Sequence, residues 1–165
     1  MALLEPIFDA LNRAHVRYVI VGGLATVLHG YTRFTHDIDL AIDLVPAEAQ
    51  KAIDVLTALG FQPNVPVAAT QFADPQARLR WLREKNMTVF PLWDPRNPLR
   101  VIDLFVENPI PFDDLWREAD EIPLETTRVR VASIDHLIQM KRLAGRARDL
   151  DDIAALELIR RERMK

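Results

Sequence analysis

The chain has 165 residues, of which 49% are hydrophobic and 27% charged, so it can bury a core of its own as a single globular domain. It contains no cysteine, which excludes disulfides, thiolate metal centres and cysteine nucleophiles. No apolar run reaches the roughly 20 residues of a membrane span, and the first residues lack the basic start of a signal peptide, so we expect a cytoplasmic protein without a membrane partner. The net charge of −3 argues against general nucleic-acid binding, although residues 1–127 carry −7 and residues 128–165 carry +4.

Hydrophobic periodicity predicts an α+β (mixed α/β) fold with a mixed sheet and C-terminal helices. Strands are predicted over 17–23, 37–43, 77–83, 87–93, 100–107 and 126–132, and helices over 3–14, 24–30, 46–59, 112–119, from Ser133 to Gly145, and from Leu150. The short, turn-rich linker between 87–93 and 100–107 predicts an antiparallel hairpin. Ser133 is the expected cap of the penultimate helix, whose inward face is predicted to carry Ile134, Leu137, Ile138 and Leu143.

Two carboxylates stand two residues apart in the strand over 37–43. Asp37 and Asp39 therefore point to the same face, where like charges are costly unless a proton or a cation compensates them. Asp103 lies in another strand with apolar neighbours on both sides, where a carboxylate is expensive without a partner. If the two strands are adjacent, the three acids would hold Mg²⁺ or Mn²⁺, which prefer carboxylate oxygens. The alternative for each acid is an edge strand with side chains in water.

A glycine pair follows the first buried strand and precedes a helix. Gly22 and Gly23 would expose backbone N–H groups, an arrangement that binds phosphate, although a plain turn between strand and helix is the simpler interpretation. Arg33 and Thr35 precede the acid pair and could contact phosphate, or could serve as a salt bridge and a strand-start hydroxyl. The four histidines show no spacing typical of metal ligands and are interpreted as structural or surface residues.

The pattern of a strand, Gly-Gly, a helix, RFTHDIDL and a later acid in an apolar strand resembles the nucleotidyltransferase superfamily with a DNA polymerase β-like core. Together with MKRLAGRARDLDDIAAL near the C-terminus, it is most similar to bacterial abortive-infection toxin nucleotidyltransferases and their small relatives. The resemblance implies a nucleotidyltransferase core over 1–110 and a C-terminal helical extension over 111–165, packed on the core as one structural domain.

The resemblance also implies a role for each motif residue. Asp37, Asp39 and Asp103 would be the catalytic acids and metal ligands, and Gly22, Gly23, Arg33 and Thr35 would bind the nucleotide. Lys141 and Arg146 would reach the triphosphate, and Asp149 and Asp152 would orient them, with Arg148 as the competitor of Arg146. Many relatives have serine where this chain has Gly23, so one hydroxyl contact is missing. The alternative for the C-terminal motif is a plain helix ion pair between Arg148 and Asp152.

The implied activity is metal-dependent transfer of a nucleoside monophosphate from an NTP, such as ATP, to a hydroxyl group, with release of pyrophosphate. Toxin relatives imply RNA, such as a tRNA end, as the acceptor, and an antitoxin protein as a partner. The alternatives are a small-molecule nucleotidyltransferase of the antibiotic-modifying type, whose cationic acceptors would suit the acidic body, and a non-catalytic module that binds a nucleotide or a partner protein.

Overall fold

The apolar, β-branched segments of the chain form one mixed sheet in the computed structural model, which describes residues 1–165. The strands are β1 (Tyr18–Val21), β2 (Asp37–Ile42), β3 (Gln62–Pro63), β4 (Val89–Asp94), β5 (Asn97–Phe105), β6 (Asp120–Pro123) and β7 (Arg128–Val131). The helices are α1 (Glu5–Arg13), α2 (Gly22–Leu28), α3 (Pro46–Ala58), α4 (Pro75–Lys85), α5 (Phe112–Glu118), α6 (Ile134–Ala144) and α7 (Leu150–Arg163). Two 3₁₀ turns lie at Ala69–Ala73 and Ala147–Asp149. None of the helices combines the length and the hydrophobicity needed to span a membrane.

The strand order is β3-β4-β5-β2-β1-β7-β6, so residues from both ends of the chain meet at the centre of the sheet. Strand β2 pairs antiparallel with β1 and parallel with β5, while β7 pairs parallel with β1. Strands β4 and β5 form the predicted antiparallel hairpin. The α+β fold predicted from the sequence is confirmed, and the segment after residue 111 supplies two of the strands.

One face of the sheet is covered by helices, as the alternation of buried and more exposed side chains at the start of β2 shows. Ile38 and Leu40 are buried, whereas Asp37 and Asp39, which alternate with them on the opposite face, are exposed and partly exposed. Helix α1 packs here through a stack of Phe8 on Tyr18, with ring centroids 6.1 Å apart. Alternation therefore leaves the opposite face of β2 and β5 available for chemistry.

The strand predicted over 77–83 is wrong, because this segment lies inside α4. Asp74 caps the helix by accepting a hydrogen bond from the Gln76 backbone N–H, and Pro75 suits its first turn. Ala77 and Trp81 are buried one helical turn apart, and Trp81 stacks on Phe90 with centroids 5.2 Å apart. Tertiary packing of these two side chains on the sheet favours the helix over the apparent alternation.

The predicted inward position of Leu143 is also wrong, since its side chain is 63% exposed. The cap predicted for α6 is confirmed: the Ser133 hydroxyl accepts a hydrogen bond from the backbone N–H of His136. The buried side of α6 continues from Leu137 and Ile138 to Lys141, which takes the inward position one turn later. The buried face of α6 therefore ends in the charged Lys141, and Leu143 lies outside it. The short strands β3 and β6 were not predicted, because their polar and proline residues carry little strand signal.

Candidate active site

The predicted acids lie side by side on neighbouring strands. Asp39 of β2 is in register with Asp103 of β5, and Asp37 lies two residues earlier on the same strand. Paired residues of neighbouring strands share a face, so all three carboxylates project from the face that is not covered by α1. We call this the acid face. The structure thus brings together the three acids expected to act together.

The electrostatics of the acid face favour a bound cation. Burial, followed by repulsion from Asp103 and Asp37, raises the pKa of Asp39 to about 6. Burial and the charge of Asp37 likewise raise the pKa of Asp103 to about 6. Neither group has a side chain that donates a hydrogen bond to it. As positioned, no three acidic or histidine side chains form a ready-made metal cluster. The donor set nevertheless fits Mg²⁺ or Mn²⁺, because it consists of carboxylate oxygens whose charge has no direct partner.

The turn between β1 and α2 lies directly against Asp39. Gly22 has φ +68°, and a Cβ there would lie 2.2 Å from Oδ2 of Asp39. Only glycine can therefore take this conformation while the carboxylate keeps its place. The predicted phosphate-binding turn and the predicted acid pair are thus in contact.

Gly23 lies beneath Thr35. A Cβ on Gly23 would lie 2.8 Å from the Thr35 hydroxyl oxygen and 3.7 Å from the Arg33 guanidinium carbon. The Thr35 hydroxyl therefore fills the space that a serine at residue 23 would need. Although Gly23 has no hydroxyl group, Thr35 places one beside it.

Five charged residues form a network beside this turn, which we call the C-terminal charge network: Arg33, Lys141, Arg146, Asp149 and Asp152. Lys141 Nζ donates to Asp152 Oδ2 at 2.7 Å and lies 3.5 Å from Asp149 Oδ1. Arg146 Nε donates to Asp149 Oδ2 at 2.7 Å, and Arg33 also pairs with Asp152. Three cations share two carboxylates, so the network has one positive charge in excess.

The positive charges of the network reach the acid face. Arg146 and Lys141 both act to lower the pKa of Asp39, against the larger effects of burial and carboxylate repulsion. Within the network, burial acts to raise the pKa of Asp149, but the hydrogen bond from Arg146 and the charge of Lys141 hold it below its usual value. Arg146, and not Arg148, therefore contributes positive charge at Asp39.

The alternative interpretation of the C-terminal motif is wrong. Asp152 is 3% exposed and pairs with Arg33 and Lys141, so it forms no helix ion pair with Arg148, which is exposed. Arg33 takes the salt-bridge role that the sequence left open. The sequence gives no sign of its bond to Asp152, because 119 residues separate the two.

Residues 2–92 match the family model described as a nucleotidyltransferase of unknown function (DUF6036). The chain belongs to this nucleotidyltransferase family. The match includes Gly22, Asp37 and Asp39 but ends before Asp103 and the C-terminal charge network. Membership of the superfamily predicted from the sequence is confirmed, whereas the narrower resemblance to abortive-infection toxins stays a prediction. No curated protein sequence matches the chain.

Solved structures of nucleotidyltransferases share the fold of this family member. A lincosamide antibiotic adenylyltransferase, LnuA, bound to lincomycin, has a TM-score of 0.63 at 20% identity, with 94% of this chain and 95% of that one covered. A putative nucleotidyltransferase from Thermotoga maritima has a TM-score of 0.60 at 16% identity, over 93% and 89% of the chains. ANT(2")-Ia in complex with adenylyl-2"-tobramycin has a TM-score of 0.60 at 15% identity, over 99% and 98%. The likeness extends over nearly the whole chain.

The contact between Gly22 and Asp39 predicts an asymmetry between two glycine substitutions. Gly22→Ala and Gly145→Ala both place a side chain at positive φ, +68° and +64°, but a Cβ at Gly145 meets nothing within 4 Å. We expect Gly145→Ala to cost about 1 kcal/mol and Gly22→Ala about 1–2 kcal/mol more, because the Asp39 carboxylate must move. Urea unfolding measures both, and equal losses would show that Gly22 does not constrain Asp39.

The raised pKa of Asp39 predicts that removing this carboxylate stabilises the fold by an amount that depends on pH. Ionised Asp39 destabilises the metal-free fold above pH 6, and this penalty disappears as the pH falls from about 6 to the ordinary value of 3.8. Asp39→Asn should therefore be more stable than the wild type by about 1–3 kcal/mol above pH 7 in EDTA, and equal to it near pH 4. Asp151→Asn, at an exposed carboxyl, is the control. Thermal unfolding across pH measures the difference, and a loss at every pH would make Asp39 a structural residue.

Proposed function

We propose that this nucleotidyltransferase moves a nucleoside monophosphate from an NTP to a hydroxyl group of a small molecule, in a reaction that requires Mg²⁺ or Mn²⁺. The observation that carries the proposal is the register of Asp39 with Asp103, with Asp37 on the same face. Such uncompensated carboxylates have no structural value, which argues against a module that only binds a partner. They are the ligands that two-metal phosphoryl transfer requires.

The chemistry follows from the positions of the residues around the acid face. A bound divalent ion would supply charge neutralisation for the triphosphate and activation of the hydroxyl. The hydroxyl oxygen attacks the α-phosphorus, the bond from this phosphorus to the bridging oxygen breaks, and pyrophosphate leaves. Asp103 is the proposed acceptor of the hydroxyl proton because it is the acid farthest from the phosphate-binding turn, and in the metal-free protein burial raises its pKa to about 6.

The triphosphate is proposed to lie between the β1–α2 turn and the C-terminal charge network. The backbone of Gly22 and Gly23 and the hydroxyl of Thr35 would bind phosphate oxygens, while Lys141 and Arg146 supply positive charge. Arg33 pairs with Asp152, so we assign it the role of holding α7 against the core and not direct phosphate binding. This division leaves the opposite side of the acids for the acceptor.

The acceptor class was left open by the sequence. Two of the structural neighbours are named for small antibiotic acceptors, which supports the small-molecule alternative. The basic excess of the C-terminal part favours RNA, but many of these basic residues already have acidic partners. Besides the charge network, Arg142 pairs with Glu157, Arg160 with Asp135 and Arg163 with Asp120. Transfer to an RNA acceptor, by a toxin with an antitoxin partner, is therefore the second candidate function.

Label transfer tests the activity directly. The protein is incubated with each α-labelled NTP, Mg²⁺ or Mn²⁺, and either total RNA or a panel of hydroxylated small molecules. We expect labelled small molecules and released pyrophosphate with the wild type, and a loss of at least about 100-fold with Asp103→Asn, because the proposed base is removed. Label in RNA would favour the toxin alternative, and full activity of Asp103→Asn would exclude the proposed role of Asp103.

A calorimetric titration separates the two arginines near α7. Arg146 lies within electrostatic reach of Asp39, whereas Arg148 is exposed and forms no ion pair. Arg146→Ala should weaken NTP binding about tenfold, since a charged hydrogen bond contributes roughly 1.5–3 kcal/mol, and Arg148→Ala should leave it unchanged. If Arg146→Ala and Arg148→Ala bind the NTP with equal affinity, Arg146 is not part of the nucleotide site.

A further inference from the structure

A row of apolar side chains lies on the acid face beside Asp103. On β4, Pro91 is in register with Asp103 and Trp93 with Val101, and Val89 lies two residues before Pro91. By the alternation of the strands, these side chains share the face of the carboxylates. We call Val89, Pro91, Trp93 and Val101 the apolar platform.

The platform is not part of the hydrophobic core. All four residues are partly exposed, and none of them packs against the buried cluster that includes Phe90 and Leu92 on the other face of the same strand. Leu99, which is 69% exposed, continues the row beyond Val101. A contiguous exposed apolar surface of this kind marks a binding site more often than a plain surface.

The acid face is therefore asymmetric about its carboxylates. Gly22 and the C-terminal charge network lie on the β1 side of Asp39, whereas Val89, Pro91 and Trp93 lie on the β4 side of Asp103, and Val101 lies between Trp93 and Asp37. A triphosphate requires the side with positive charge. The remaining molecule of the reaction then lies on the platform, with its hydroxyl beside Asp103.

On this basis, which rests on the proposed function, we infer that the platform is the acceptor site and that the acceptor is an uncharged hydroxyl compound with an apolar or aromatic face. Trp93 would stack on this face and orient the hydroxyl toward Asp103. Attack of that oxygen on the α-phosphorus releases pyrophosphate, and the proton passes to Asp103, so the step is balanced without a further reactant.

The charges around the platform exclude the other acceptor classes. Arg96 and Arg100, the cations of the same hairpin, both pair with the buried Asp94, so neither is free to bind RNA phosphates beside the platform. The platform itself carries no acid, Asp37 and Asp39 would hold the metal ion, and Asp103 takes the proton of the hydroxyl group, so a polycation has no free anionic partner there. A second copy of the chain needs about 800 Å² on each partner, which is more than four side chains provide.

A matched pair of ligands tests the inference even while the natural acceptor is unidentified. Phenyl β-glucoside and methyl β-glucoside carry the same hydroxyls and differ only in the apolar group. In NMR titrations we expect the phenyl compound to bind about tenfold more tightly and to shift the indole N–H signal of Trp93, because its ring loses apolar surface on the platform. Trp93→Ala should reduce its affinity to that of the methyl compound.

Trp116→Ala is the control, because Trp116 lies on α5 and contacts Arg17 and Arg130 away from the platform. It should keep the preference for the phenyl compound, and Val101→Ser should weaken that preference as a second platform variant. Equal affinities of the two glucosides, phenyl binding that survives Trp93→Ala, or tighter binding of an aminoglycoside or an RNA oligonucleotide would overturn the inference. A wild-type dimer that dissociates in the Trp93→Ala variant would also overturn the inference.

Measurements of NTP binding and turnover distinguish a failure of this inference from a failure of the proposed function. Trp93→Ala should bind the NTP with wild-type affinity, since Trp93 lies across the acids from the charge network. If the wild type binds the phenyl compound but neither binds nor turns over an NTP, the proposed function fails and the platform remains a binding site. If it turns over NTP without any dependence on Trp93, the platform inference fails alone.

Discussion

The repulsion between Asp39 and Asp103 is the constraint on which the rest of the site depends. Two parallel strands place these carboxylates directly side by side, and burial removes much of the water that would screen them. Such an arrangement is unfavourable in the isolated fold, so its neighbours must either supply positive charge or leave room for it. The structure does both: the C-terminal charge network lies on one side, and no side chain donates a hydrogen bond to Asp39 or Asp103. A fold that sacrifices stability at one point in this way is typical of a catalytic centre.

The C-terminal charge network explains why the end of the chain is needed at a site formed by its beginning. Asp152 of α7 holds both Arg33, from the loop before β2, and Lys141 of α6. Lys141 and Asp152 are almost fully buried, so the loss of one partner would leave an uncompensated charge, which is strongly destabilising. The loop that precedes the acids and the two last helices therefore keep one arrangement. In this way the network positions Arg146 and Lys141 near Asp39, although neither residue contacts the acid directly.

The sequence predicted the acids and the glycine turn because their signals are local. Two acids at spacing two must share a face, and a strand followed by Gly-Gly predicts a tight turn. The segment over 77–83 was misassigned because alternating apolar residues also fit a helix whose Ala77 and Trp81 face the sheet. Arg33 could not be placed, since its partner lies 119 residues away and either a phosphate or a carboxylate would satisfy it. The apolar platform also has a signal in the sequence: Val89, Pro91 and Trp93 alternate with Phe90 and Leu92, so both faces of this strand are apolar although only one is packed on the core.

The match to the family over residues 2–92 and the acid-face asymmetry together suggest how one scaffold accommodates different acceptors. The matched part includes the glycine turn and the Asp37–Asp39 pair, which on the proposed function act on the nucleotide whatever the acceptor is. It ends at Leu92 within β4, before Trp93 and before β5. Residues on β4 that face the acids can change without disturbing the core, because Phe90 and Leu92 on the opposite face carry the packing. Since each strand residue belongs to one face only, substitution at Val89, Pro91 or Trp93 alters what lies beside Asp103 and leaves the phosphate side as it is. On the proposed function, the nucleotide and the acceptor share the acid face but lie on opposite sides of the three carboxylates, so a change of acceptor requires no change in the acids.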